Sequence, residues 1–332
     1  MNGRPTAGDD MTAFFRTVLG DKPAEEMGVT YAHEHLIIDS CYVTKMTPEF
    51  LLDDTDACID ELKRLFQIGG RTVIDSMPCD SGRNVRKLAA ASLGSGVHVV
   101  APTGIHLAKY YDPGHWSHVY TERELEDLFV ADIVDGIDAY DYNGPLVSRT
   151  SHRAGVIKIA TGRQFTSRER RVFAAAAAAH RRTGCPILTH TEQGELALEQ
   201  VSLLKELGVD LGHVCLSHTD RKPDMGYHRE ILATGVSLEF DSAFRWKSGQ
   251  GNPTLDLLLG LLGDFPDQIM LGMDAAKRSY WKSYGGGPGL EFLLGDFSER
   301  MKAAGIGDDL LERIFVITPR RTYCFRTVET RR

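Results

Sequence analysis

Eight short apolar segments that alternate with segments of helical periodicity constrain this chain more than any other feature. The segments are continuously apolar, which is typical of parallel strands covered on both faces. The predicted strands lie at 28–39, 71–76, 97–103, 154–160, 185–190, 214–218, 236–241 and 268–274. The predicted helices lie at 48–67, 83–93, 121–140, 166–183, 195–207, 224–233 and 253–263, with two more at 290–304 and 310–324. This order predicts an α/β fold, a (β/α)8 TIM barrel. The alternative is an open doubly wound sheet, although no Gly-rich dinucleotide fingerprint follows the first strand.

The 332 residues suffice for one large domain with a sizeable core. We expect a loosely attached N-terminal arm at 1–26, a single barrel domain at 27–326 and a short tail at 327–332. The net charge of -8 argues against nucleic acid or an anionic membrane as the main partner. The first ten residues lack an apolar signal-peptide core and the six cysteines include no CxxC pair, so we expect a cytoplasmic protein with reduced thiols.

Two histidines separated by one residue lie in the first predicted strand, near its end. Side chains alternate along a strand, so His33 and His35 point to the same side while Glu34 points to the other. Two imidazoles about 6–7 Å apart can converge on one metal ion. The alternative is a surface strand whose polar face carries histidine.

Further candidate ligands follow other predicted strands. In a barrel of this type the catalytic groups lie at the C-terminal ends of the strands. A single histidine there would more often be structural, whereas six such groups on five strands predict a metal centre. The candidate ligands are His33, His35, Lys158, His190, His218 and Asp274. Ser217 and Cys215 precede His218, and strand alternation predicts that both face away from it.

Lys158 differs from the other candidates because it lies within an apolar strand, Val156 to Ala160. Burial lowers the pKa of a lysine and makes its neutral amine available. A neutral amine reacts with CO₂ to give a carbamate, whose two oxygens can bridge two metal ions. The alternative is a lysine whose charged end extends to the solvent at the strand end.

The motifs around these residues are similar to those of the phosphotriesterase-related family of the amidohydrolase superfamily. The resemblance extends from Gly28 to about Phe325 and is carried by the sequences YAHEHL, VIKIATG, ILTHTEQG, LSHTDRKPD and LGMDAAKRSYW. It implies two divalent metal ions, commonly zinc, with cobalt, manganese or iron as substitutes. One ion would be bound by His33, His35 and Asp274 and the other by His190 and His218. A hydroxide and Lys158, modified to N6-carboxylysine, would bridge them.

The resemblance also implies a reaction. Two cations activate the bridging hydroxide and polarise the scissile carbonyl or phosphoryl group, and Asp274 can carry the proton to the leaving group. The loop after the eighth strand resembles the branch of the family that opens sugar 1,4-lactones, including those with a 5-phosphate. Lys277 and Tyr280, with Arg245 or Lys247, would then bind the phosphate. Lys277 replaces an arginine of the relatives, and His106 replaces an aromatic residue that follows their third strand.

The residues at the barrel mouth leave other functions open. Cations and aromatic side chains there, including His106 and Tyr111, suit a small anionic substrate, although a solvated loop with ordinary salt bridges has the same composition. The same metals would serve a phosphotriesterase or an N-acyl amide hydrolase. The alternative from a different class is a non-catalytic binding protein on the same barrel, which would be expected to lack a ligand. Homodimers are common in the resembled family, but no sequence feature identifies an interface.

Overall fold

The computed structural model describes residues 13–246 and 251–326. Their strands are β1 Phe14–Thr17, β2 Gly20–Pro23, β3 Thr30–Glu34, β4 Thr72–Asp75, β5 His98–Val100, β6 Pro102–Gly104, β7 Val156–Thr161, β8 Ile187–Thr191, β9 Val214–Ser217, β10 Ser237–Phe240 and β11 Ile269–Leu271. Their α-helices are α1 Tyr42–Met46, α2 Thr55–Gln67, α3 Val85–Ser95, α4 Glu122–Val134, α5 Ser167–Thr183, α6 Ala197–Glu206, α7 Met225–Leu232, α8 Pro253–Leu261, α9 Ser298–Ala303, α10 Asp308–Glu312 and α11 Thr318–Tyr323. None of the helices in these two ranges is long and apolar enough to cross a membrane.

The strands from β3 to β11 form the predicted (β/α)8 barrel. All of their pairings are parallel, in the order β3-β4-β5 and β6-β7-β8-β9-β10-β11. β5 and β6 are two halves of the third barrel strand, interrupted at Ala101. The barrel closes where the backbone N–H groups of Met273 and Asp274 donate to the carbonyl of His33, at 3.3 and 3.1 Å. Closure therefore joins the segments that carry the first and last predicted metal ligands.

Mostly apolar side chains fill the barrel interior below these predicted ligands. Ala32, Val100, Val156, Leu188 and Met270 are buried together in one core cluster, separate from the larger cluster between strands and helices. Strand alternation then directs the side chains two residues further along, such as Lys158 and His190, toward the same axis. The apolar layer thus supports the site from below.

Residues 13–26, the described part of the arm expected at 1–26, are packed against the barrel rather than loosely attached, and residues 1–12 and the tail expected at 327–332 lie outside the described residues. β1 and β2 pair as an antiparallel hairpin, and Phe15 is fully buried in the inner core cluster with Ala32. Phe14 stacks on Phe325 with ring centroids 4.8 Å apart. The apolar pair Phe14-Phe15 provides the packing that the polar composition of the segment obscured.

Two other elements also differ from the predictions. α4 ends at Val134 rather than near residue 140, because Gly136 has a φ of +121° that a helix cannot contain. The terminal helices are interrupted by wider π-helical turns at Leu293–Phe297 and Arg313–Ile317. The apolar spacing of these segments predicts helix correctly, but it does not reveal the turns.

Gly104 ends β6 beside Lys158, and its conformation restricts it to glycine. Its φ is +106°, and an added Cβ would lie 1.9 Å from the carbonyl oxygen of Lys158. We expect Gly104→Ala to lower the free energy of unfolding by about 3 kcal/mol, because it adds both backbone strain and overlap. Urea denaturation measures the change, and Gly144→Ala is the control, since the nearest atom to its added Cβ is 3.7 Å away. Equal stability of the two variants would contradict this account.

Candidate metal centre

One pocket of about 200 Å³ opens at the C-terminal ends of the barrel strands. Five predicted ligands line it together with His106, and Lys158 is buried close to them. The other lining residues are Ile38, Val43, Phe50, Met77, Tyr110, Arg221, Arg245, Ala276, Lys277 and Tyr280. The pocket therefore combines metal-binding groups with a rim of cations and aromatic rings.

A bulge in β3 directs the two histidines of the first strand into the pocket. The pairing of β3 with β4 shifts register between Tyr31 and Glu34, and such a shift changes the direction of the following side chains. The rings of His33 and His35 are both buried, with centroids 5.4 Å apart. The carboxylate of Glu34 instead accepts the N–H of Met273 at 2.7 Å. Glu34 thereby braces the backbone next to Asp274.

Asp274 joins the histidines from the opposite side of the barrel closure. Its Oδ1 lies 3.1 Å from Nε2 of His35 and 3.8 Å from Nε2 of His33. Its Oδ2 accepts hydrogen bonds from Arg221 at 2.6 Å and from Arg245 at 3.0 Å. Burial raises the pKa of Asp274, but its interaction with His35 and the charges of His218, Arg221 and Arg245 outweigh burial and hold that pKa well below its usual range. The ligand atoms of Asp274 and both histidines all lie within 4.8 Å of one another, so the three can share one ion.

His190 and His218 form the second group of predicted ligands. Their ring centroids are 4.6 Å apart, and His218 is 4.8 Å from His33. His218 has a φ of +67°, which interrupts strand alternation directly after β9. Ser217 therefore also faces the site and lies 2.8 Å from Nδ1 of His33, so our expectation that it faces away from His218 is wrong.

Cys215 likewise points into the barrel, because it belongs to the inner core cluster. Burial raises the pKa of its thiol well above the usual range. A buried, protonated thiol is a poor nucleophile and a poor ligand. Cys215 is thus a packing residue below the site.

Asp241 and Arg221 complete the site, and the sequence analysis did not assign them to it. Asp241 hydrogen-bonds Nδ1 of His218, which leaves Nε2 of that ring for a metal. Arg221 bridges Asp241 at 2.8 Å and Asp274 at 2.6 Å. Asp241 lies at the end of a predicted strand, as most of the predicted ligands do, so its position in the sequence could have placed it in the site. The bridging role of Arg221 could not be predicted from the sequence, because the two aspartates that it binds are 20 and 53 residues away along the chain.

The donor atoms of the site fit a cation. Lys158 is 1% exposed, and its Nζ has no hydrogen-bond partner within 13–246 and 251–326. Burial lowers its pKa to about 8, so a substantial fraction of the amine is neutral near physiological pH. Nε2 of His190 is also buried and makes no hydrogen bond in the described chain, although Oε2 of Glu192 lies 3.6 Å from it. Unpartnered buried nitrogens are costly, and a bound metal or a modified lysine would satisfy them.

The predicted substrate residues have different positions. Lys277, Tyr280, Arg245 and His106 line the pocket. Tyr111 does not: its hydroxyl donates to the carbonyl of Cys79 at 3.0 Å and accepts the N–H of His106 at 2.9 Å, so its assignment to substrate is wrong. The adjacent Tyr110 lines the pocket instead, because its backbone belongs to a short 3-10 turn, Ala108–Tyr110. Lys247 lies outside the described residues.

A barrel of this architecture with histidines, an aspartate and a buried lysine around one pocket is a metal-dependent hydrolase of the (β/α)8 class. The sequence profile of the phosphotriesterase family matches residues 13–323. The chain belongs to the phosphotriesterase family.

Several proteins of known sequence or structure resemble nearly the whole chain. A phospho-furanose lactonase from Mycoplasmopsis synoviae is 34% identical over 324 residues, which cover 94% of this chain and 92% of that protein. A lactonase from Listeria monocytogenes has a crystal structure with a TM-score of 0.87 and 30% identity, covering 95% of this chain and 100% of that chain. An amidohydrolase from Mycoplasma synoviae gives a TM-score of 0.89 at 32% identity, with 96% and 93% covered.

Proposed function

We propose that this protein is a lactonase that opens a 1,4-lactone of a small sugar carrying a 5-phosphate. The observation that carries the proposal is a lysine at the pocket rim, Lys277, that forms no ion pair with a carboxylate anywhere in the described parts of the chain. The names of the similar lactonases support the same reaction.

We assign the metal ligands as the sequence predicted them. His33, His35 and Asp274 would hold one ion, and His190 and His218 a second. Lys158, carrying a carbamate formed from CO₂, would bridge the two. Zinc is the proposed metal, since imidazole and carboxylate ligands suit it. Bound divalent cations supply Lewis acidity and lower the pKa of a water.

Asp274 is the proposed proton carrier of the reaction. Water adds to the lactone carbonyl carbon, the bond from that carbon to the ring oxygen breaks, and the ring oxygen needs a proton to leave as an alcohol. The carboxylate of Asp274 accepts a proton from the water and delivers it to the ring oxygen. Arg221 and Arg245 fix its Oδ2, so the carboxylate keeps one orientation throughout. The product is an open-chain hydroxy acid.

The rim residues suit a phosphate. Nζ of Lys277 lies 5.7 Å from the ring centre of Tyr280 and 6.0 Å from that of Phe50, so two aromatic rings flank its charge. The hydroxyl of Tyr280 accepts a hydrogen bond from Arg245 at 3.1 Å, which leaves its own proton to donate. Lys277 and Tyr280 thus offer two donors on the same loop, and the cation is partly desolvated.

Hydrolysis of matched lactones tests the proposal. Protein reconstituted with zinc, cobalt, manganese or iron would be given 1,4-sugar lactones with and without a 5-phosphate. We expect kcat/KM to be roughly 10- to 100-fold higher for the phosphorylated member, the size of a hydrogen bond to a charged group. Lys277→Met should remove most of that preference, whereas Lys63→Met on the exposed face of α2 should not.

The outcomes separate the parts of the proposal. Equal rates for both lactones would keep the reaction and reject the phosphate site. No turnover of any lactone would reject the reaction and direct the search to phosphotriesters and N-acyl amides, which the same ligands can serve. A preference that survives in Lys277→Met would reject the assignment of Lys277 alone.

We also propose a cytoplasmic location. All six cysteines are free, and five of them are buried. Thiols remain reduced in the cytoplasm, where disulfides are rare. Fractionation of cells that express the tagged protein would test this, and recovery outside the cytoplasm would contradict it.

A further inference from the structure

Side-chain hydrogen bonds hold the backbone of His106 on both its N–H and its carbonyl. Its backbone N–H donates to the hydroxyl of Tyr111 at 2.9 Å, and its carbonyl accepts from Arg168 at 2.9 Å. Arg168 also donates to Ser117 at 3.1 Å, which ties the far end of the same loop. Both backbone groups of His106 are therefore held by side chains from outside its own turn.

The imidazole of His106 is fixed in the same way. Its Nδ1 accepts the N–H of Leu107 at 2.7 Å, so this nitrogen carries no proton. The proton of the neutral ring is therefore on Nε2. The ring packs between Tyr110 and His190, with centroids at 4.1 and 5.0 Å. In the described chain Nε2 has no hydrogen-bond partner, although the residue lines the pocket.

The position of His106 in the barrel limits which substrate atom it can meet. It follows the third barrel strand, whereas Lys277 follows the eighth, so the two approach the pocket from well-separated positions. In a 1,4-lactone, the carbon that bears the 5-phosphate is bonded to C4 and lies on the side of the ring oxygen. The 2-hydroxyl group lies on the other side of the carbonyl. A lactone held by its phosphate at Lys277 thus extends its 2-hydroxyl toward the side of His106.

We propose that His106 selects lactones with a 2-hydroxyl group by donating a hydrogen bond from Nε2–H to the oxygen of that group. This inference rests on the proposed lactonase function and adds a specificity determinant to it. The fixed tautomer matters because a ring with its proton on Nδ1 would present an acceptor to the pocket instead. A pocket built around a donor loses that hydrogen bond when the substrate lacks the oxygen.

The test compares a 2-hydroxy lactone with its 2-deoxy analogue in the metal-loaded enzyme. We expect wild-type kcat/KM to favour the 2-hydroxy lactone by roughly five- to tenfold, the size of one neutral hydrogen bond. His106→Phe keeps a ring without the donor and should reduce this ratio to about one. His106→Gln places an amide donor near the position of Nε2 and should restore part of it. His118→Gln, on the same loop but outside the pocket lining, should retain the wild-type ratio.

The outcomes distinguish this inference from the proposed function. If His106→Phe lowers the rates on both lactones equally, or if the wild type prefers neither, the selection by His106 is rejected while lactone hydrolysis stands. If no lactone is hydrolysed, the proposed function fails and this inference fails with it. Histidine ¹⁵N NMR, assigned by comparison with His106→Gln, gives a reading that needs no turnover. A proton on Nε2 of His106 is expected, and a proton on Nδ1 would overturn the inference.

Discussion

Lys158→Met is expected to reduce bound metal from two ions per chain to one or fewer and to lower kcat/KM by at least about 10³-fold. Lys158 is buried beside His33 and His190, whose pKa values its charge lowers, and its Nζ has no hydrogen-bond partner in the described structure. Without the proposed carbamate, the two ions would lose their shared ligand, and Lewis-acid assistance is worth several kcal/mol. A factor of 10³ corresponds to about 4 kcal/mol.

Metal analysis after exhaustive dialysis measures the first effect and lactone hydrolysis the second. Met fills nearly the same volume as Lys and removes an amine that burial disfavours, so the metal-free variant should unfold at or above the Tm of the metal-free wild type. That measurement separates loss of a ligand from loss of the fold. If the variant keeps both ions and its activity, Lys158 is neither a ligand nor a carbamate.

Asp274→Asn is expected to lower kcat by about 10³-fold or more while the protein remains folded. The variant replaces a carboxylate that contacts His35 and two guanidinium groups with an amide that carries no charge and accepts no proton at neutral pH. General acid–base catalysis alone contributes 10²–10⁴-fold. Loss of a charged ligand would weaken metal binding as well.

Asp21→Asn is a matched control for this substitution. Asp21 also accepts from two arginines, Arg16 at 2.6 Å and Arg153 at 3.1 Å, but it lies in the N-terminal hairpin away from the pocket. It should keep wild-type kcat even if its Tm falls. Stopped lactone assays with each variant at saturating metal provide the comparison. Retention of more than a tenth of the wild-type kcat by Asp274→Asn would show that another group carries the proton.

The positions of the strands and of most ligands were predictable for a simple reason. Parallel strands buried on both faces must be continuously apolar, so polar residues at their ends stand out in the sequence. His33, Lys158, His190 and Asp274 were predicted as ligands in this way. A barrel brings the C-terminal ends of all its strands to one edge, and three of the four line the same pocket there, while Lys158 is buried close to it.

Local exceptions to strand geometry were not predictable. The bulge in β3 and the positive φ of His218 change the direction in which side chains point. Neither feature alters the spacing of apolar residues in the sequence, so neither could be predicted from it. The period-two rule consequently gave the wrong direction for Ser217. The prediction named Tyr111 as a substrate residue, whereas Tyr110 lines the pocket. A single 3-10 turn decides which of these two adjacent tyrosines faces the pocket.

The sequence by itself determined the fold and the chemical class of the site, because apolar periodicity and strand-end residue types are local properties of the chain. Only the tertiary structure decided how the site is supported. Arg221 holds Asp241 and Asp274 together, and Arg168 and Tyr111 fix His106, across separations of up to 62 residues. Such partners are selected by barrel closure and loop packing, which depend on the whole chain at once. The hydrogen bond that Nδ1 of His106 accepts from the N–H of Leu107, and with it the tautomer of that ring, belongs to the same packing.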